Sequence, residues 1–127
     1  MSRKILIVDD AAIIRAMIRD TVTAAGWTVV GEADNGQAGI EKYRELRPHA
    51  MTLDLVMPQY DGLHAMRGIR EFDPQARIVV VSALDQTEIL REAFKAGASD
   101  FLVKPFDKQI LLDTLDRLVP EEEVVAS

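Results

Sequence analysis

The sequence predicts a doubly wound α/β fold, with one five-stranded parallel sheet between two layers of helices. Three observations carry this expectation. Short runs rich in Val, Ile and Leu alternate along the chain with stretches whose apolar residues recur at helical spacing. The segments between them are too short to act as linkers, so the strands connect through helices, which implies parallel strands, right-handed crossovers and helices on both faces. At 127 residues the chain is one domain's worth, with no room for a second.

Residues 4–8 form the first apolar run and end in the pair Asp9-Asp10. Over residues 11–25, Ile14, Met17, Ile18 and Val22 share one helical face, and Gly26 follows where a left-handed cap is wanted. Residues 27–30 supply the second strand. Asn35-Gly36 taken alone signals a hairpin, but Ile40, Tyr43 and Leu46 form a helical stripe over residues 37–46, so Asn35 reads as an N-cap. Arg47-Pro48-His49 ends that helix.

Residues 51–58, Met51 through Pro58, are too short an apolar run for a helix and read as a buried third strand that delivers Asp54 at its end. A loop through Pro58 and Gly62 leads to a helix with Leu63, Met66, Ile69 and Phe72 facing inward, stopped by Asp73-Pro74. Ile78-Val79-Val80-Val81, within residues 77–82, is the most strand-like run in the chain. Asp85 with Glu88 resembles a capping box for a fourth helix that continues through Ile89, Ala93 and Phe94 to Gly97. Residues 99–103 form the fifth strand, and Asp107 caps a last helix with Leu111, Leu112, Leu115 and Leu118 as its core stripe. The domain is expected to span residues 1–120, with 121–127 as an acidic tail.

Composition narrows the function classes. A net charge of −6 argues against holding nucleic acid through phosphate contacts. No apolar run approaches the roughly 20 residues that cross a bilayer, and the start lacks a leader pattern, so a cytoplasmic location away from membranes is expected. Without cysteine, disulfides and thiolate metal sites are excluded. His49 and His64 are isolated in sequence and suggest no zinc site or serine-hydrolase triad.

Four of the five predicted strands end in a reactive side chain: Asp9-Asp10, Asp54, Ser82 and Lys104. Singly, each has a duller role: Asp10 a helix cap, Asp54 a turn former, Ser82 a small turn residue, Lys104 a solvated charge. Together they mean more, because the carboxyl ends of parallel strands line one edge where ligands bind. Clustered carboxylates resist ionisation unless a cation neutralises them. Oxygen-only ligands favour Mg²⁺, with Mn²⁺ as a substitute. An ion, an ammonium and a hydroxyl around one carboxylate suit phosphoryl transfer, with Asp54 as the nucleophile forming an acyl phosphate.

These residues closely resemble the receiver domain of bacterial two-component response regulators. The resemblance rests on Val8-Asp9-Asp10, Leu53-Asp54 with Met57-Pro58, Val81-Ser82-Ala83, Gly97-Ala98 and Lys104-Pro105-Phe106, and covers nearly the whole chain. Asp10-Ala11-Ala12 and residues 31–36 look most like the stand-alone chemotaxis regulators of the CheY type. The resemblance implies a flavodoxin-like sheet of order 2-1-3-4-5, for which chemotaxis regulators of this kind are themselves a stock example. It implies that Asp54 accepts phosphate from a histidine kinase, and that Asp10, Asp54 and the Val56 carbonyl bind Mg²⁺, with Asp9 acting through water. Ser82 and Lys104 then contact the phosphoryl oxygens, and small Ala83 leaves room for the phosphodonor. Phe101 matches the family's switch aromatic; read without the resemblance, it is equally a core residue on a buried strand. Val56 and Leu84 fall where receivers vary and tune phosphate lifetime. Lys104-Pro105 matches a bond that is cis in the family, whereas base frequencies alone favour trans.

The implied protein is a signalling phosphoacceptor that catalyses only its own phosphorylation and dephosphorylation. Its implied partners are the kinase, a phosphorylation-dependent target such as the flagellar motor switch, and a phosphatase. A relay that passes phosphate to a histidine phosphotransfer domain is the alternative. A haloacid-dehalogenase-like phosphatase also uses an Asp nucleophile with Mg²⁺, but its first-strand aspartates alternate, whereas Asp9 and Asp10 are adjacent. A P-loop reading of Gly31 and Gly36 fails because Gln37 and Ala38 stand where Lys and Ser or Thr are required.

Overall fold

A computed structural model describes residues 2–55, 57, 62–83 and 87–122. Its ten elements alternate as β1 (Lys4–Val8), α1 (Ala12–Ala24), β2 (Thr28–Ala33), α2 (Gly36–Leu46), β3 (Ala50–Leu53), α3 (Gly62–Phe72), β4 (Ile78–Ser82), α4 (Thr87–Lys95), β5 (Asp100–Val103) and α5 (Lys108–Leu118). The strands form one parallel sheet in the order β2-β1-β3-β4-β5. This is the expected order, with the first strand inside the sheet.

Strand side chains alternate between the faces, and each face has its own core. On one side Leu6, Val8, Met51, Leu53, Ile78 and Val80 pack against α2, α3 and α4 through Ile40, Tyr43, Met66, Ile69 and Ala93. On the other, Ile5, Ile7, Val79, Val81 and Leu102 meet Ile18, Val22, Leu111 and Leu115 of α1 and α5. Every residue of β3 and β4 is buried, which explains why those runs are mostly apolar rather than alternating. Edge strands β2 and β5 carry mostly half-exposed residues.

The caps decide where helices start and stop. Asn35 caps α2 by accepting from the Ala38 N–H at 2.8 Å, which settles the helix over the hairpin. Asp107 caps α5 by accepting from the N–H groups of Gln109 and Ile110. Gly26 and Gly97 adopt φ of +94° and +101° after α1 and α4, where a side chain would be strained. Asp10, however, does not cap α1. The N-cap position falls on Ala11, which offers no side chain to bond with, so the Asp10 carboxylate is left for another role. The proposed Asp85 cap of α4 and most of the acidic tail, 123–127, lie outside the described residues.

Arg3 joins the two ends of the domain: its guanidinium stacks 4.5 Å from the Trp27 ring, donates to the Val119 carbonyl and pairs with Asp116 at 2.7 Å. Tyr43 donates its hydroxyl to Asp73 at 2.8 Å, and burial together with that carboxylate pushes its pKa well above the usual tyrosine value. One core polar group stands out. Thr52, 1% exposed on central β3, has a hydroxyl with no hydrogen-bond partner among the described residues. An unmet buried hydroxyl costs about 1–3 kcal/mol. Thr52→Val keeps the shape and should raise stability by about 1 kcal/mol, read as a higher urea midpoint at unchanged slope.

Candidate functional site

The backbone ladder of the sheet continues one step past the ends of the strands, and that step positions the polar side chains. The Asp9 N–H donates to Ala33 O at 3.0 Å, Asp54 N–H to Val8 O at 3.0 Å, and Lys104 N–H to Ser82 O at 2.8 Å. Asp9, Asp54, Lys104 and Ser82 are thus each tied to a neighbouring strand by a main-chain bond. The carboxyl ends of β1, β3, β4 and β5 therefore meet along one edge.

Asp9, Asp10 and Asp54 each bring a carboxylate oxygen within 4.8 Å of the other two. Asp9 and Asp54 are buried at 1% and 6% exposure, while Asp10 faces solvent. Lys104 Nζ lies 2.9 Å from Asp9 Oδ2 and 3.4 Å from Asp54 Oδ2. Ser82, 1% exposed, ends β4 beside β5, where its register partner is Val103. Val56 lies outside the described residues, as do Pro58 and Leu84. Half-buried Ala83 follows Ser82 at the same edge.

Among the described residues, the Lys104 ammonium directly faces two of the three carboxylates. Burial works against the charged form of Lys104, but Asp9 and Asp54 outweigh it and hold its pKa above the ordinary lysine value. Asp9 Oδ1 accepts from the Ala11 N–H at 2.9 Å. Its buried Oδ2 is paired by charge with Lys104 yet receives no hydrogen bond of good geometry among the described residues. That oxygen, close to two further carboxylates, keeps capacity for another cationic ligand, and an all-oxygen donor set fits Mg²⁺.

Glycine is required where α3 begins. The Gly62 N–H donates to Leu55 O at 2.7 Å, and a Cβ there would stand 2.2 Å from the Asp54 carbonyl oxygen and 2.5 Å from Leu55 Cα. The helix start thus presses on the turn that carries Asp54. The Lys104-Pro105 bond is cis, as the resemblance implied and against base frequencies.

Phe101 is not in the core. Its ring is 38% exposed and packs edge-on against Phe94 of α4, with centroids 5.4 Å apart and planes at 89°. With Ile110, 54% exposed, these rings give the α4, β5 and α5 face an apolar character. His64 is exposed and His49 accepts from the Lys4 N–H through Nδ1; the acidic cluster is made by Asp9, Asp10 and Asp54.

Sequence reasoning missed two supporting residues. Arg15 on α1 donates to the Asp9 carbonyl at 2.6 Å, and Glu32 on β2 pairs with Arg15 at 3.4 Å. The one available signal was the placement of Arg15 one helical turn past Ala11, on the side of the helix that looks back to the strand end.

Comparison with known proteins identifies the family. Residues 5–116 match the response regulator receiver domain family. The chain is 46% identical to the chemotaxis protein CheY of Thermotoga maritima over 93% of its length and 98% of the relative's. It is 44% identical to CheY of Bacillus subtilis, covering 92% and 98%. Among solved structures, the CheX-CheY-BeF3-Mg²⁺ complex of Borrelia burgdorferi superimposes with a TM-score of 0.86 at 30% identity, covering 91% of this chain and 88% of that one. The chain belongs to the response regulator receiver domain family.

The raised Lys104 pKa has a sign that can be checked. Because folding raises it, the stabilisation from this ammonium is complete below the ordinary lysine value of 10.5 and is lost as pH rises through the higher folded value. Lys104→Met removes the ammonium that faces the buried Asp9 and Asp54 carboxylates and should lower stability in metal-free buffer. In urea melts the gap between wild type and variant should hold through neutral and mildly alkaline pH and narrow only above the lysine value; a gap that closes near neutrality contradicts the pairing.

Proposed function

We propose that this receiver domain is a single-domain response regulator of a two-component phosphorelay, accepting a phosphoryl group from a histidine kinase onto Asp54 and thereby switching its affinity for a chemotaxis partner such as the flagellar motor switch. The observation that supports it most directly is the acidic cluster of Asp9, Asp10 and Asp54 with the Lys104 ammonium 3.4 Å from Asp54. The similarity to two CheY proteins supports the chemotaxis output.

In the transfer, an Asp54 carboxylate oxygen attacks the phosphorus, the bond from phosphorus to the kinase histidine breaks, and an acyl phosphate forms. Asp10, Asp54 and the Val56 carbonyl would hold Mg²⁺, or Mn²⁺ in its place, with Asp9 acting through water. The bound ion supplies neutralisation of phosphoryl oxygen charge. Lys104 places its ammonium against the phosphoryl oxygens from the β5 side, and the Ser82 hydroxyl donates from the β4 side. Dephosphorylation reverses the bond change with water as acceptor, assisted by a phosphatase partner.

The readout follows from the new charge. A phosphoryl group adds nearly two negative charges and new acceptor oxygens, and Ser82 is the nearest hydroxyl on the adjoining strand. Drawing Ser82 inward opens space beside β5, and Phe101 leaves its exposed position to fill it. That movement gives up the edge-on contact with Phe94, worth about 0.5–1.5 kcal/mol. Changing the active fraction from about 1% to 99% takes roughly 5.5 kcal/mol, so Ser82 and Lys104 must share the work.

Two experiments test the proposal. Acetyl phosphate with Mg²⁺ should add one phosphoryl mass to the wild type and none to Asp54→Asn by intact-mass measurement; equal labelling of both removes Asp54 from its role. With beryllofluoride as phosphoryl mimic, Ser82→Ala should still load but gain less partner affinity than wild type, and Phe101→Ala should alter partner affinity without altering Mg²⁺ affinity. Titration against a motor-switch peptide measures both. A full wild-type gain in Ser82→Ala contradicts this coupling route.

A further inference from the structure

The peptide group joining Asp9 to Asp10 is the hinge of the acidic cluster. Because that group is planar, the direction of the Asp9 carbonyl sets how the two neighbouring carboxylates point relative to each other. Mutual repulsion favours turning exposed Asp10 away into solvent. Something must hold the peptide against that tendency.

Arg15 is placed to do so. Its Nη1 donates to the Asp9 carbonyl at 2.6 Å, while its Nε lies 3.4 Å from Glu32 Oε1 on β2. Glu32 is itself fixed from two further sides, by Arg19 Nη1 at 2.8 Å on Oε2 and by Lys42, which donates to its main-chain carbonyl. The guanidinium is therefore braced on a carboxylate that cannot easily move. At the other end of the hinge, Asp9 is tied by its N–H to Ala33 and through Oδ1 to the Ala11 N–H.

We propose that Arg15, braced by Glu32, is a positioning residue for the metal site, holding the Asp9-Asp10 peptide so that both carboxylates converge with that of Asp54. The inference rests on the Mg²⁺ reading of the acidic cluster. It makes a prediction opposite in sign to plain electrostatics. A cation near the cluster repels Mg²⁺, so if Arg15 acted only as a charge, removing it would tighten metal binding. If it positions the hinge, removing it weakens binding, by about 10–100-fold for a residue supporting the ligands.

Calorimetric titration of the unphosphorylated protein with MgCl2 separates these. Arg15→Ala should bind Mg²⁺ about 10–100-fold more weakly than wild type, while Arg15→Lys should fall between, since one ammonium reaches the carbonyl but not the carboxylate in the same fork. Arg19→Ala removes the same charge from the same helix and loosens one tie on Glu32 without touching Asp9, so it should weaken binding less than Arg15→Ala does. In acetyl phosphate labelling, Arg15→Ala should need more Mg²⁺ for half-maximal rate yet reach the wild-type rate at saturation. Should Arg15→Ala fail to fold, Glu32→Gln unbraces the guanidinium and should shift affinity in the same direction, and an unchanged affinity there overturns the proposal. Equal or tighter binding by Arg15→Ala, or equal weakening in Arg15→Ala and Arg19→Ala, also overturns it and leaves the Mg²⁺ reading intact. A wild type that binds no Mg²⁺ overturns both.

Discussion

Three carboxylates meet within 4.8 Å at one edge of the sheet, and the ammonium that faces two of them directly is Lys104. Carboxylates this close repel, and two of the three are removed from bulk water, so their charge must be offset by fixed cations or by an incoming one. The fold supplies part of that offset from its own cations. Lys104 covers Asp9 and Asp54 from β5, and Arg15 lends its guanidinium to the carbonyl behind Asp9. An all-oxygen cluster of this kind is chemically suited to a hard divalent cation.

Holding such an arrangement requires a rigid frame, and the parallel sheet provides one. The main-chain bonds from Asp9 to Ala33, from Asp54 to Val8 and from Lys104 to Ser82 extend the ladder beyond the last regular rung, so each charged residue inherits the register of its neighbour. Beneath them β3 and β4 are wholly buried between two apolar cores. The close approach of Gly62 to the Asp54 carbonyl adds a steric limit on the third strand's turn. Rigidity at the site contrasts with the α4, β5 and α5 face. There Phe94, Phe101 and Ile110 remain partly exposed and form an apolar patch.

Much of this was legible in the sequence because its causes are local. Alternation of strand and helix periods marked all five strands, and Asn35, Gly26, Gly97 and Asp107 marked helix ends through their own cap chemistry. The convergence of Asp9, Asp10, Asp54, Ser82 and Lys104 followed from their places at strand ends once the strand order was supplied by resemblance. What escaped depends on distant parts of the chain. The Arg15 and Glu32 brace joins α1 to β2 through long charged side chains that no period reveals. The exposure of Phe101 depends on edge strand β5 and its contact with Phe94, whereas strand composition alone allowed it to be core. The duller reading of Asp10, a helix cap, fails because α1 starts one residue later than that role needs.

The account rests on a cluster of negative charge that an incoming cation can join, and thermal melting against rising Mg²⁺ tests that most directly. A cation that binds the folded state alone stabilises it by mass action, about 2.7 kcal/mol at a hundredfold excess over its dissociation constant. The melting temperature of the wild type should climb steadily with Mg²⁺, and that of Asp10→Ala should lose most of the gain. A wild-type melting temperature unmoved by Mg²⁺ would contradict the account, because the three carboxylates would then be balanced without an ion.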